Sequence, residues 1–307
     1  MGDHYRYRPL FLYSLPLTEF VLDPTPITIA AAAACELGEN PVWDEQRQCV
    51  LWADISAGKI LQWSISSGRY KSIYQGTLVG GFTLQENGDL LLFRVSDIAL
   101  LRSNGHVSLL QPFADEGATR FNDVIADPEG RVFAGTIGKT DESGGLYRVE
   151  RDGSICPLFA GTGCSNGMGF SPGGKTFYWT CSTTRQIFQF DYEQSSGGLV
   201  NKRLFYRAEP GEGIPDGMAV DAEGCVWSAR WGGACALRFS PGGELLGRID
   251  FPTPNITSLC FGGNDLDQLF ITSASTKQPP NPNAGALFQT RPPIRGRKVF
   301  KSRIGLT

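Results

Sequence analysis

Only two of the 307 residues are histidine, His4 and His106. That scarcity removes the usual ligand of zinc hydrolases and the usual base of Ser-His-Asp chemistry. An excess of charge of one sign is missing too: 28 Lys and Arg face 31 Asp and Glu, a formal net charge of −3. Such a balance gives no reason to expect a nucleic acid or a polybasic membrane contact. No apolar stretch reaches the roughly 18–20 residues of a membrane span. The eight cysteines contain no C-x-x-C pair, so they do not frame a zinc site. Most lie in apolar runs such as Cys225-Val226-Trp227 and read as buried free thiols. Glycine, by contrast, fills 38 positions, well above an average of about 7%. Together with 19 prolines and 11% aromatics, that favours turns and strands over long helices.

The N-terminus imitates a secretory signal. Arg6 and Arg8 precede an apolar run from Leu10 to Leu22, and an alanine tract ends at Cys35. Glu19 and Asp23 interrupt that run, and cleavage at the alanines would fall beside Glu39, a candidate ligand. Residues 1–28 are therefore expected to be a surface extension, residues 29–307 the folded body, and the protein cytoplasmic.

A turn followed by an apolar strand recurs along the chain. The units begin at Asp44, Gln85, Asp127, Ser171, Asp221 and Gly263, spaced 41, 42, 44, 50 and 42 residues apart. Another strand follows each at a similar offset, as in Lys59-Ile-Leu-Gln-Trp63 and Gln186-Ile-Phe-Gln-Phe190. Many units carry a further Gly- or Asn-containing turn, which suits hairpins that need a positive φ. Six units of four short strands predict an all-β fold, a six-bladed β-propeller built as one domain.

Equivalent positions of such repeats lie on a ring around the axis. Five residues before each anchor stand Glu39, Gly80, Asn122, Asn166, Asp216 and Ser258. Two carboxylates, two amides and a hydroxyl are costly to bury without a partner. No lysine occupies the ring to neutralise them. The donors are all oxygen, which suits a hard divalent cation on the axis: calcium, magnesium or manganese. Asn166-Gly167 and Asp216-Gly217, taken singly, are ordinary turn signals. Their shared register in six units favours a site. Arg120, two residues before Asn122, can offer guanidinium donors to a substrate or form a surface ion pair. Asp123 is expected to make a structural hydrogen bond, and His106 to be solvated.

Leu37-Gly-Glu39-Asn-Pro-Val-Trp-Asp44 resembles the opening motif of the gluconolactonase/regucalcin (senescence marker protein) family. So do Arg120-Phe-Asn122-Asp123, Phe133-Ala-Gly-Thr136, Ser165-Asn-Gly167, Ile214-Pro-Asp-Gly-Met218 and Cys260-Phe-Gly-Gly263. The resemblance runs from Cys35 to about Phe300. It implies a six-bladed propeller with one divalent cation on its axis, held by Glu39, Asn166 and Asp216. It also implies substrate contacts from Arg120 and Asn122. The expected ion is calcium, with magnesium, manganese, zinc and iron(II) as alternatives. The family often has Gly-Lys where this chain has Val124-Ile125. Where regucalcin-like members have a substrate-contacting Glu, this chain has Thr140, with Asp141 and Glu142 beyond it.

The implied reaction is hydrolysis of sugar lactones to aldonic acids, with Asp216 also orienting or deprotonating the attacking water. The partner would be a small-molecule lactone, with no nucleic acid or membrane, on a monomer or weak homodimer. Two other readings keep the same site: an organophosphate-type esterase, and a non-enzymatic calcium-binding propeller. A closed coordination shell would favour the last; three or four protein donors favour catalysis.

Overall fold

The computed structural model describes residues 26–275 and 280–306; most of the N-terminal extension, His4 included, lies outside them. The described residues form six four-stranded antiparallel sheets and no helix, hence no helix long and apolar enough to cross a membrane. The sheets are the six blades. In the first five, consecutive strands run outward from the axis. The sixth is built from both ends of the chain. Its inner strand Ile256–Gly262, second strand Gln268–Ser273 and third strand Leu287–Thr290 come late in sequence. Its outer strand, Thr28–Ala31, comes from the start and pairs Thr28 with Gln289. That pairing closes the ring and leaves the third strand of the sixth blade paired on both sides.

The repeat anchors are turn-formers. Asp127 Oδ1 accepts the amides of Glu129 and Arg131, each at 2.9 Å. Asp221 Oδ1 does the same for Glu223 at 3.0 Å and Cys225 at 2.9 Å. Asp44 holds the Gln46 and Arg47 amides at 2.9 and 3.1 Å. A short carboxylate thus fixes the hairpin that joins inner and second strands. The faces of adjacent blades meet through aromatic side chains. Phe133, Phe170, Phe177 and Tyr192 pack between the third and fourth blades, and Trp227 meets Phe261 between the fifth and sixth. All eight cysteines are free thiols, six of them buried.

The six inner strands form a closed ring, each touching the next. Close approach there depends on missing side chains. A Cβ on Gly80 would collide with the carbonyl of Phe121 on the neighbouring inner strand, and one on Gly217 with Ser258 Oγ. Gly80→Ala must therefore push two inner strands apart. It is expected to cost about 1–3 kcal/mol in urea denaturation; an unchanged midpoint would show that the ring relaxes freely.

Below the ring lies an axial cavity of about 140 Å³, lined by Val42, Leu84, Met168, Met218 and Phe261 among others. The C-terminal segment closes it. Gly296 N bonds Leu266 O at 2.7 Å, Ser302 N bonds Leu84 O at 2.8 Å, and Arg303 N bonds Gly130 O at 2.8 Å. The segment so crosses from the sixth blade to the second and third, leaving the opposite face as the way in.

Candidate active site

Each ring residue lies on an inner strand: Glu39 in Gly38–Asp44, Gly80 in Val79–Leu84, Asn122 midway along Ala118–Ala126, Asn166 in Ser165–Phe170, Asp216 in Ile214–Val220 and Ser258 in Ile256–Gly262. At that level every blade breaks register with its second strand. The shifts fall between Glu39 and Val42, Val79 and Gly81, Phe121 and Val124, Ser165 and Met168, Pro215 and Met218, and Ile256 and Ser258. A bulge re-aims the side chains beside it. Six bulges at one level turn the six ring positions toward the axis, where the five polar ones, Glu39, Asn122, Asn166, Asp216 and Ser258, are all buried.

Asn166 is the junction. Its Nδ2 donates to Asp216 Oδ1, and to Ser182 Oγ at 3.1 Å. Its Oδ1 is buried without any hydrogen-bond partner. Asn122 Nδ2 donates to Ser165 O at 3.0 Å, while its Oδ1 accepts from Arg120 Nη1 at 2.7 Å. Arg120 Nη1 also donates to Phe121 O at 2.8 Å, which leaves Nε and Nη2 without a hydrogen bond to the described residues. Arg120 is half-buried on the strand itself rather than on a loop before it.

Electrostatics set this centre apart. Burial pushes the Glu39 carboxyl well above its usual range, and Asp216 and Asp123 add repulsion. Asp216 is raised in the same way by burial and then by Asp123. Asp123 is pushed up to about 7 by burial. Burial also lowers Arg120, against the attraction of Cys164, Glu39 and Asp216. Three carboxyl groups thus share one dry space with a single guanidinium that bridges to none of them.

This donor set fits a hard cation. Carboxylates from Glu39 and Asp216 and an amide oxygen from Asn166 are its preferred ligand types, and the unpartnered Oδ1 lacks the electropositive neighbour that burial demands. Among the described residues no three His, Cys, Asp or Glu side chains cluster at metal-binding spacing. The expected set has only two such side chains, and the third donor is an amide.

Three neighbours, Asn40, Ser182 and Cys164, carry no assignment from the sequence, and a fourth, Asp123, carries only a structural one. Asn40, at φ +48°, uses Oδ1 to accept the Phe82 amide at 2.6 Å, tying the first blade to the second. Asp123 makes the expected structural bond, accepting Val124 N at 2.9 Å, yet it also lines the axial cavity beside Asn40. Ser182 sits at the end of the fourth blade's second strand. Cys164 Sγ lies 3.8 Å from Asn166 Nδ2 and 3.9 Å from Asn122 Nδ2. The Glu39-Asn40 pair was the available signal for Asn40; Ser182 has none outside the pairing register. Thr140, Asp141 and Glu142 occupy an exposed loop, and the Asp141 backbone approaches Gly163, next to Cys164. His106 is exposed in its hairpin.

Residues 37–275 match the family described as the SMP-30/Gluconolactonase/LRE-like region. The chain belongs to this family. It is 34% identical to the pentonolactonase XacC of Haloferax volcanii over 293 residues, covering 91% of this chain and 99% of that protein. It is 33% identical to the regucalcin of Gallus gallus over 268 residues, covering 82% and 90%. The calcium-binding regucalcin of Agrobacterium tumefaciens superposes with a TM-score of 0.86 at 24% identity, over 91% of this chain and 98% of that one. At that identity the likeness speaks for the fold: this SMP-30/gluconolactonase-type chain is a six-bladed propeller.

Proposed function

We propose that this SMP-30/gluconolactonase-type protein is a divalent-cation-dependent hydrolase that opens sugar lactones to aldonic acids. The observation that carries the reading is the convergence of Glu39, Asn166 and Asp216 from three blades on one buried point, with the Asn166 Oδ1 unpartnered. Kinship with a pentonolactonase supports the substrate class. When bound, the cation would supply Lewis-acid polarisation of the lactone carbonyl. Calcium is the ion this oxygen set suits first.

The chain's own residues perform the rest. Asp216 orients the attacking water and takes its proton as the new C–O bond forms. Asn166 fixes that carboxylate through Nδ2, and Ser182 steadies Asn166 while donating to Pro215 O at 2.7 Å. Arg120 directs its unused Nε and Nη2 donors to ring hydroxyls or the carbonyl oxygen, held in place by Asn122. When the ring C–O bond breaks, Asp216 returns that proton to the departing alkoxide, and the new carboxylic acid loses the water's second proton to solvent, so that an alcohol, a carboxylate and one released proton result.

A pH-stat assay tests the reading with gluconolactone, xylonolactone and paraoxon, before and after chelation. Acid release from at least one sugar lactone is expected. Chelation should reduce it about 100-fold or more, since both charge stabilisation and the oriented water depend on the ion, and added calcium should restore it. Release from paraoxon alone would assign the site to phosphoesters. No release from any metal-loaded sample would leave a binding propeller.

A further inference from the structure

Five of the six tryptophans are buried: Trp43, Trp52, Trp63, Trp179 and Trp227 are all at most 5% exposed. Trp231 is 36% exposed. Lone exposed aliphatic residues need no explanation, but indole is highly buried on average. The blade repeat gives Trp231 a definite place. In the fourth blade Ser165, just before Asn166, pairs with Cys181, and Ser182 follows. In the fifth blade Pro215, just before Asp216, pairs with Arg230, and Trp231 follows, opposite Ile214. Trp231 is therefore the counterpart of Ser182. Ser182, the residue just past the second strand Thr176–Cys181, touches its own blade's ring residue, Asn166, and the next blade's inner strand at Pro215 O. In the fifth blade the same strand face carries Trp227 and Ala229, which pack against residues of the sixth blade, and successive residues of that face alternate along the strand to Trp231.

We propose that Trp231 is a specificity residue, a stacking platform for the carbon face of the substrate's sugar ring. A sugar lactone has a ring of hydroxyls and, on its flat sides, C–H groups that an indole face covers well. Pockets for such ligands combine an aromatic wall with a few placed polar groups. Here the polar groups, Arg120 and Asn122, belong to the third blade, and Trp231 ends the second strand of the fifth. Gly232 and Gly233 follow directly. A side chain on Gly233 would strike Arg230, Glu212 and Gly213, so the turn folds back onto the preceding loop; a Cβ on Gly232 meets nothing. Neither residue covers the indole. This inference rests on the sugar-lactone reading of the site.

The test compares wild type with Trp231→Leu and Trp231→Phe, all calcium-loaded. Leu keeps apolar bulk without the flat face, and Phe keeps a smaller face. With an aldonolactone, KM should rise about tenfold for Leu, the scale of one aromatic contact, and much less for Phe, with kcat within about threefold of wild type in both. A wild-type KM in the Leu variant, or a loss confined to kcat, overturns the proposal. Acrylamide quenching of tryptophan emission gives a readout independent of turnover, with 1,5-anhydroglucitol as a ring ligand that lacks an ester. The polyol should shield wild-type emission and leave the Leu variant unchanged. If wild type opens no lactone, the lactonase reading falls, and quenching decides on the indole: shielding keeps it as a sugar contact, and no shielding removes it.

Discussion

Asp216→Ala is expected to eliminate lactone hydrolysis, by at least about 10³-fold in kcat/KM, while the propeller remains folded. The loss combines two roles, since one carboxylate both completes the cation site and accepts the water's proton; general-base removal alone accounts for about 10²–10⁴-fold. The fold survives because Asp216 holds no turn and pairs with no cation. Its side-chain hydrogen bonds are with two members of the same site, Asn166 and Glu39. Asp216→Asn separates the roles more sharply, because it keeps the shape and removes the charge. In chelator, its denaturation midpoint should equal or exceed that of wild type, since the variant relieves the crowding of Glu39, Asp123 and Asp216. In excess calcium the order should reverse, because only wild type gains the stabilisation that a tightly bound ligand confers. Turnover in pH-stat assays and urea midpoints in both media are the measurements. Near-wild-type turnover by metal-loaded Asp216→Ala would sink the mechanism.

Much of this architecture was legible because propeller repeats write their turns in the sequence. Asp44, Asp127 and Asp221 mark the hairpins because a buried carboxylate is needed to gather turn amides. Counting back from them finds the axial level, because each inner strand ends at, or one residue before, its turn anchor, whatever its start. Other parts were hidden for physical reasons. The bulges that aim Glu39 and Asp216 inward are properties of strand pairing, not of composition. Ser182 acts through the register of a second strand. The closing strand Thr28–Ala31 is alanine-rich, a poor strand signal; its pairing with Leu287–Thr290 at the other end of the chain supplies what propensity does not. Asn40 reads as the partner of a proline in Glu-Asn-Pro, yet its amide oxygen joins two blades.

Asp221→Ala should produce the opposite profile to Asp216→Ala: a large loss of stability with catalysis intact. Asp221 is fully buried just beyond the end of the same inner strand. Oδ1 holds two turn amides. Oδ2 accepts Trp227 Nε1 and Arg238 Nε, both at 2.9 Å. Arg238 is itself 6% exposed, and its other carboxylate partner, Glu223 at 2.6 Å, is an exposed side chain. Deleting Asp221 leaves a buried guanidinium half-paired, an indole N–H without an acceptor, and a turn without its anchor. Breaking a buried pair from one side costs about 3–5 kcal/mol, far above the effect of an exposed ion pair. Asp221→Asn keeps an acceptor oxygen and should fall between the two. Urea denaturation measures the loss. Below the transition, kcat should stay within about twofold of wild type, because the site is built at the other end of the strand. A loss of activity that matched the loss of stability step for step would show that the turn positions Asp216 directly. An unaffected midpoint would show that water replaces the carboxylate around Arg238.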